Sequence, residues 1–402
     1  MHFYFLVPNL FGFKGGIQVY SAFLIQALQK HYPDAAYDVF LKYERRAPLP
    51  SERTSFLPQT QFHCFSEQVY DTRRWQRRFK TIRSCAKIMQ AAMWQRPQLL
   101  VLTELNYYLV VCQWIKRLLG IPYWVVVHGL EAWDLKNSAY KAALQTADRV
   151  VAVSHYTRDR ILREGYLDPA QISVLPNTFD ASQFQVKPKP DYLLQRYGLS
   201  PEQPVILTVT RIQRFAQYKG YDKILRALPA IRQQVPNVRY VLAGKGDDLQ
   251  RVQALIQSLG VQDCVTLAGF VPDAELSDHY NLCDVFAMPS KNEGFGIVYL
   301  EALASGKPVL AGNQDGAIDP LMGGELGCLV NPDDETAIAE NLIQILQKTY
   351  PNPLMYQPEL LRQQAIERFE FAQFYQTLAN WTQPMDGHKT HLTINPCPIE
   401  RG

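Results

Sequence analysis

Short runs of Val, Ile, Leu and Tyr recur along the chain, each followed by a segment whose apolar positions fall at helical spacing. That alternation predicts parallel sheets with helices on both faces. In the first half the strands fall at Phe3–Val7, Tyr37–Lys42, Leu99–Thr103, Tyr123–Val127, Arg149–Val153 and Ile172–Leu175, with helices at about 16–30, 106–119, 138–146 and 155–164. In the second half they fall at Val205–Val209, Arg239–Ala243, Val265–Ala268, Val285–Met288 and Pro308–Ala311, with helices near 220–234, 248–259, 274–282, 295–304 and 334–348. The stretch TFDASQFQVKPKPDYLLQRYGLSPEQP between the halves is proline-rich and polar and has no sheet period, so it reads as an interdomain linker. The pattern thus predicts an α/β chain of two doubly wound, Rossmann-like domains with a cleft where the carboxyl ends of their strands face each other, the place where open α/β sheets bind ligands.

A length of 402 residues agrees with two domains at about 150 residues each. With 47% apolar and 20% charged residues, the chain is neither disordered nor fibrous. Its longest uncharged apolar runs, Tyr107–Ile115 and Ile121–Val127, are shorter than the roughly 18 residues of a membrane span. The opening MHFYFLVPNL lacks a basic region and breaks at Pro8, as a strand does and a signal peptide does not. Seven scattered cysteines without a CxxC pair suggest reduced thiols, a cytoplasmic location and no zinc site.

The net charge of +3 hides an asymmetry: residues 1–190 carry +10 and the remainder −7. A basic first half suits anionic lipid, nucleic acid or an acidic substrate, and ordinary surface charge would look the same. The densest stretch is DTRRWQRRFKTIRSCAK, residues 71–87, where Trp75, Phe79 and Ile82 recur at helical spacing among arginines. Such a helix suits an anionic membrane surface, although a solvated helix with a core-facing stripe has the same pattern.

The most informative segment is PSKNEGFGIVYLEALASGKP, residues 289–308. A strand ends at Met288, a turn follows through Glu293, Gly294, Phe295 and Gly296, and an apolar helix opens. Unpaired N–H groups at a helix start attract anions, and glycine lets a phosphate approach the main chain. Glu301, set among Val298, Leu300, Ala302 and Leu303, needs a partner, and ligand hydroxyls would serve. Alternatively Glu293 caps the helix and Glu301 reaches out of a partly buried face. In TRIQRFAQYKG, Arg211 leaves a strand and Lys219 precedes the next helix, which makes a two-cation clamp for a pyrophosphate without a metal. There is no Asp-x-Asp or HExxH, and the pairs Asp247–Asp248 and Asp333–Asp334 fall where acids cap helices. Neither glycine cluster, 12–16 or 244–246, completes GxGxxG, which argues against a dinucleotide oxidoreductase.

From Glu293 to Val309 these residues match the pattern EGFGIVxLEAxAxGxPV, and Arg211 and Lys219 match its upstream cations; the chain resembles the retaining glycosyltransferases of family 4, which have the GT-B fold. Further matches are Gly15 and Gly16, VHGLEAWD at 127–134, AVSHYTRD at 152–159, VLPNTFD at 174–180 and GNQDGAID at 312–319. The resemblance covers roughly residues 1–380 and implies two domains facing across a cleft. On it, residues 1–178 form an acceptor-binding domain, 179–203 a linker, 204–364 a nucleotide-sugar domain and 365–383 a helix crossing back onto the first, with 384–402, including His388 and His391, a flexible tail.

The resemblance further implies that Arg211 and Lys219 bind the donor pyrophosphate and Glu301 the ribose. Glu293 and the amides of Gly294, Phe295 and Gly296 would meet the sugar ring, and His128 the transferred sugar. Gly15 and Gly16 would let their loop approach the phosphates or the acceptor, or they simply form a tight turn. Asn177 reads as a domain-junction residue. The expected reaction is metal-independent hexosyl transfer with retention, from UDP-hexose or GDP-mannose to a glycan or lipid-linked acceptor of the cell envelope. It needs no cofactor and no nucleic acid, and it places the protein in the cytoplasm or on the inner face of the membrane. An epimerase, a phosphorylase or a non-catalytic nucleotide-sugar-binding protein of the same fold is the alternative.

Overall fold

The computed structural model describes residues 1–12, 15–44, 46–65 and 74–382, the side chains of 74–80 excepted. The expected tail 384–402 and the side chains of Arg73, Arg74, Arg77 and Arg78 lie outside the described residues. The chain forms two compact units, one of Met1–Asn177 together with the residues from Ala372 onward, the other of Thr178–Phe371.

In the first unit, seven parallel strands form one sheet: β1 His2–Val7, β2 Ala36–Leu41, β3 Thr60–Cys64, β4 Leu99–Leu102, β5 Tyr123–Val127, β6 Arg149–Ala152 and β7 Ile172–Val174. Their order is β3-β2-β1-β4-β5-β6-β7, so the winding reverses between β1 and β4. The central strands are buried along almost their whole length, as strands covered on both faces must be. The helices are α1 Gly16–His31, α2 Arg74–Gln95, α3 Tyr108–Leu119, α4 Ser138–Thr146 and α5 His155–Arg163. Side chains start two of them: Asn137 accepts the N–H groups of Ala139 and Tyr140, and Ser154 that of Thr157.

The second unit opens with α6 Asp191–Tyr197 and holds a six-stranded parallel sheet: β8 Val205–Val209, β9 Arg239–Ala243, β10 Val265–Gly269, β11 Val285–Met288, β12 Val309–Gly312 and β13 Cys328–Val330. The order is β10-β9-β8-β11-β12-β13, and the reversal lies between β8 and β11. Its helices are α7 Tyr221–Gln234, α8 Leu249–Leu259, α9 Asp273–Leu282, α10 Ile297–Ala304, α11 Glu335–Leu346 and α12 Pro358–Phe369. Last among the described residues comes α13 Phe371–Trp381, which from Ala372 onward belongs to the first unit. There Phe374 meets Tyr20 edge-on, Trp381 meets Trp124, and the Thr382 carbonyl accepts the Tyr32 hydroxyl at 2.5 Å.

Several expectations differ from this outcome. β3 and β13 were not predicted: both are short edge strands, and β3 is only half-buried, so neither shows a strong period. Residues 179–203 pack into the second unit, where Phe179, Phe184, Leu193 and Leu194 are buried, so the segment is more than a linker. The closing helix is two helices, because Glu370 is extended and bridges Phe179. Asp334 does cap a helix, accepting the N–H of Ala337, but Asp248 instead holds Arg251 and the Tyr221 hydroxyl. Among the described residues no helix is long and apolar enough to cross a membrane.

Candidate functional site

The switch point of the second sheet gathers most of the residues singled out above, on the loops that leave β8 and β11. The first of these carries Arg211, ends in a short 3-10 helix at Lys219, and enters α7 through Gly220. Gly220 has a φ of +75°, and a Cβ there would stand 2.2 Å from the carbonyl oxygen of Pro289, so only glycine lets the two loops touch. Beside it, the backbone N–H of Lys291 donates to the Tyr218 carbonyl at 2.9 Å. The loops are thus joined through their main chains before any side chain is considered.

The ammonium of Lys219 is hydrogen-bonded to a carboxylate oxygen of Glu293, with both side chains mostly buried. Burial works against the charge of Lys219, but Glu293 outweighs it and holds the ammonium above its ordinary pKa. Arg211 is exposed, with its guanidinium carbon 5.6 Å from the centre of the Phe215 ring. Among the described residues it makes no ion pair.

No side chain caps α10. Its N-cap, Gly296, has a φ of +88°, and a Cβ there would collide with the Tyr299 ring at 2.4 Å. The alternative of a capping Glu293 is therefore not what the structure shows. The first-turn N–H groups of α10 follow directly on Gly294, Phe295 and Gly296, all three buried. One turn into the helix, the half-buried Glu301 accepts the Tyr280 hydroxyl at 2.6 Å, which fixes the carboxylate from the α9 side.

A residue that sequence reasoning missed holds the Glu293 loop in place. Asp315, fully buried after β12, accepts the Glu293 N–H at 2.7 Å, the Ser290 hydroxyl at 2.7 Å and the Ala317 N–H at 2.9 Å. The Gly316 N–H in turn donates to the Glu293 carbonyl at 2.8 Å. Burial pushes the Asp315 carboxyl up to about 6 despite these three donors. Tyr299 completes the network, its hydroxyl donating to the Met288 carbonyl at 2.8 Å and meeting Ser290 at 3.0 Å. The signal available in sequence was the stretch GNQDGAID, which contains Asp315 without marking its role. Phe270, just after β10, was missed as well. It is 63% exposed, with the Lys245 ammonium 4.5 Å above its ring, a flat apolar face on the loop that leaves β10.

The remaining candidates lie in the first unit. His128 follows β5. Its backbone N–H donates to Glu131, its Nε2 lies 2.8 Å from the Thr103 carbonyl, and its ring meets the edge of Tyr20 on α1. An Nε2 in contact with a carbonyl must carry the proton. Gly15 is the N-cap of α1 in an ordinary extended conformation, and a Cβ on Gly16 would meet nothing within 4 Å, so neither glycine is required by the local turn. The structure thus brings Arg211, Lys219, Glu293, Gly294, Phe295, Gly296 and Glu301 together on one edge of the second unit, and His128, Gly15 and Gly16 on one edge of the first.

Two family models match the chain, Glycosyltransferase Family 4 over residues 14–183 and Glycosyl transferases group 1 over 193–364. The chain belongs to glycosyltransferase family 4. Among family relatives, a GDP-mannose-dependent alpha-(1-6)-phosphatidylinositol monomannoside mannosyltransferase of Mycolicibacterium smegmatis is 36% identical over 225 residues, 52% of this chain and 57% of that one. A D-inositol 3-phosphate glycosyltransferase of Kineococcus radiotolerans is 34% identical over 177 residues, 42% of this chain and 40% of that one. The matches therefore span about half the length of these relatives. Anabaena HepE in complex with UDP superposes with a TM-score of 0.74 at 21% identity, over 94% of this chain and 99% of that one. At that identity the likeness concerns the fold, which is GT-B.

Proposed function

We propose that the protein is a metal-independent, retaining hexosyltransferase. In this reading it moves a sugar from a nucleotide diphosphate sugar, GDP-mannose first and UDP-hexose second, to a phosphorylated polyol or lipid-linked acceptor in glycolipid or cell-envelope polysaccharide synthesis. The observation that carries the proposal is the cation pair Arg211 and Lys219 set beside the uncapped start of α10, with Glu293 and Glu301 on the same edge. Breaking the bond between anomeric carbon and phosphate places negative charge on the leaving diphosphate, and these cations and N–H groups are aimed to stabilise it. Glu301 would take the ribose hydroxyls, while Glu293 and the amides of Gly294, Phe295 and Gly296 take the sugar. His128, Gly15 and Gly16 serve the sugar and acceptor from the first unit. The relatives' names support the choice of donor and of a phosphorylated acceptor, and the cytoplasm is the compartment that supplies nucleotide sugars.

A panel of GDP-, UDP- and ADP-sugars with EDTA present tests this reading in wild type and Glu301→Ala. Thermal stabilisation by one donor, with slow release of its nucleotide, should be seen in wild type and lost in the variant. A protein that responds to no donor, or that epimerises free donor without transferring it, would overturn the reading.

The first unit adds a membrane component to the proposal. Residues 73–120 hold ten Lys and Arg against a single acid, Glu104. The described part of α2 exposes Ile82, Met93 and Trp94, the last at 80%, and α3 exposes Trp114 and Leu118. Arg96 reaches the Leu119 carbonyl at 3.4 Å, so the ends of the two helices form one patch. Aromatic residues within a basic field suit an anionic bilayer surface. Neutralising Arg73, Arg74, Arg77 and Arg78 together should weaken binding to phosphatidylserine-containing vesicles by up to about a thousand-fold, since each charge near the surface is worth about 1 kcal/mol. Unchanged vesicle binding would remove the membrane component and leave the transferase reading intact.

A further inference from the structure

The two cations on the edge of the second unit are held in different ways. Lys219 is paired with Glu293, so the two together present no net charge. Among the described residues no carboxylate pairs with Arg211. The uncompensated charge therefore rests on Arg211, which stands close enough to Lys219 to oppose its protonation. An exposed arginine beside another cation, with nothing to hold it, would turn away into water.

What meets Arg211 is a ring. Phe215 lies in the 3-10 helix Arg214–Lys219, and the guanidinium carbon is 5.6 Å from its centre. The negative face of an aromatic ring attracts a planar guanidinium. Unlike a carboxylate, it does so without cancelling the charge. The ring itself is 65% exposed, but the backbone that carries it is pinned on both sides. Ile212 and Ala216 are buried, and the Ile212 N–H donates to the Lys245 carbonyl at 3.1 Å while its own carbonyl accepts the Asp248 N–H at 3.1 Å. The Arg214 N–H donates to Asp247 at 3.0 Å. A Cβ on Gly246 would stand 1.9 Å from the Ile212 carbonyl oxygen, so glycine is what lets the loops after β8 and β9 close on each other.

We propose that Phe215 is a positioning residue of the donor site, its ring holding the Arg211 guanidinium at full charge beside Lys219 before a nucleoside diphosphate arrives. The proposal rests on the transferase reading for the nature of that ligand. Lys219 enters as half of a neutral pair, whereas Arg211 supplies the net charge that draws in an anion. Seating Arg211 in advance removes part of the ordering cost from binding.

Binding of GDP, UDP, guanosine, uridine and inorganic pyrophosphate to the full chain is measured by calorimetry in wild type, Phe215→Leu, Phe215→Tyr, Arg211→Gln and the double variant Phe215→Leu, Arg211→Gln. Phe215 is exposed, so neither of its replacements empties a core. A cation on a ring at an exposed site is worth about two- to five-fold in binding. Phe215→Leu should weaken the diphosphates by that factor and leave the nucleosides unchanged, and Phe215→Tyr, which keeps the ring face, should bind as wild type does. In the Arg211→Gln background the change to leucine should have no further effect. A ring that merely supported the loop, or that stacked on the base, would weaken binding in both backgrounds. Equal losses in the two backgrounds, a loss shared by the nucleosides, or no loss at all would overturn the proposal. Wild type that binds no diphosphate would overturn it together with the transferase reading. Coupling of Phe215 to Arg211 without transfer of sugar to any acceptor would sink the transferase reading alone, and transfer without that coupling would remove the seat alone.

Discussion

Lys219→Ala is expected to lower turnover about a hundred- to thousand-fold, the scale of removing one preorganised donor from a developing oxyanion. The loss should fall on kcat more than on KM, because the charge that Lys219 meets grows as the diphosphate departs. Stability should suffer too. Glu293 would keep a mostly buried carboxylate without its cation, and breaking such a pair by removing one partner costs about 3–5 kcal/mol. The two effects come apart in the double variant Lys219→Ala, Glu293→Gln. Its unfolding midpoint should recover toward wild type while turnover stays low. Recovery of activity in the double variant would show that Lys219 serves only to neutralise Glu293.

Asp315→Ala should be comparably severe for a different reason. It leaves the Glu293 N–H, the Ser290 hydroxyl and the Ala317 N–H without their acceptor in a buried place. Each orphaned group costs about 1–3 kcal/mol, so a total of roughly 3 kcal/mol or more is expected in denaturant unfolding. The Glu293 loop also loses its anchor, and a fall of about ten-fold in turnover corresponds to a positioning loss of about 1.4 kcal/mol.

The same carboxyl gives a pH signature. Its folded value of about 6 lies above the unfolded value of 3.8, so the folded state holds the proton more tightly. Its contribution is fully present below about pH 4 and is lost as pH rises through 6, amounting to roughly 3 kcal/mol. Asp38 works in the opposite sense and outside this window: burial resists its ionisation, but hydrogen bonds from His2 and His63 prevail and hold it at about 2. The stability difference between wild type and Asp315→Asn should therefore shift against wild type between pH 4 and 6.5 and then level off. A difference that is flat across that range would show that the Asp315 carboxyl is not raised.

Much of this architecture was legible in sequence because buried parallel strands such as Tyr123–Val127 and Val285–Met288 leave unbroken apolar runs that few other structures produce. The sequence set Lys219 facing the start of an anion-attracting helix, but its ion pair with Glu293 follows from β8 and β11 being neighbours in the sheet. What escaped detection depends on the fold rather than on local pattern. Asp315 matters because the β12 loop lies against the β11 loop, and Tyr280 because α9 stands beside α10. Edge strands of three to five residues, such as β3 and β13, carry too few positions for a period to emerge.

The extended residue at Glu370 has a wider consequence. Because Phe179 and Glu370 pair side by side, residues 178–371 begin and end at adjacent points and form an inserted module within the chain of the first unit. Phe374, Leu378 and Trp381 supply part of the first unit's interior from beyond that insertion. The helix that closes the first unit therefore leaves the ribosome only after the whole of the second, so the first sheet gains that part of its cover last.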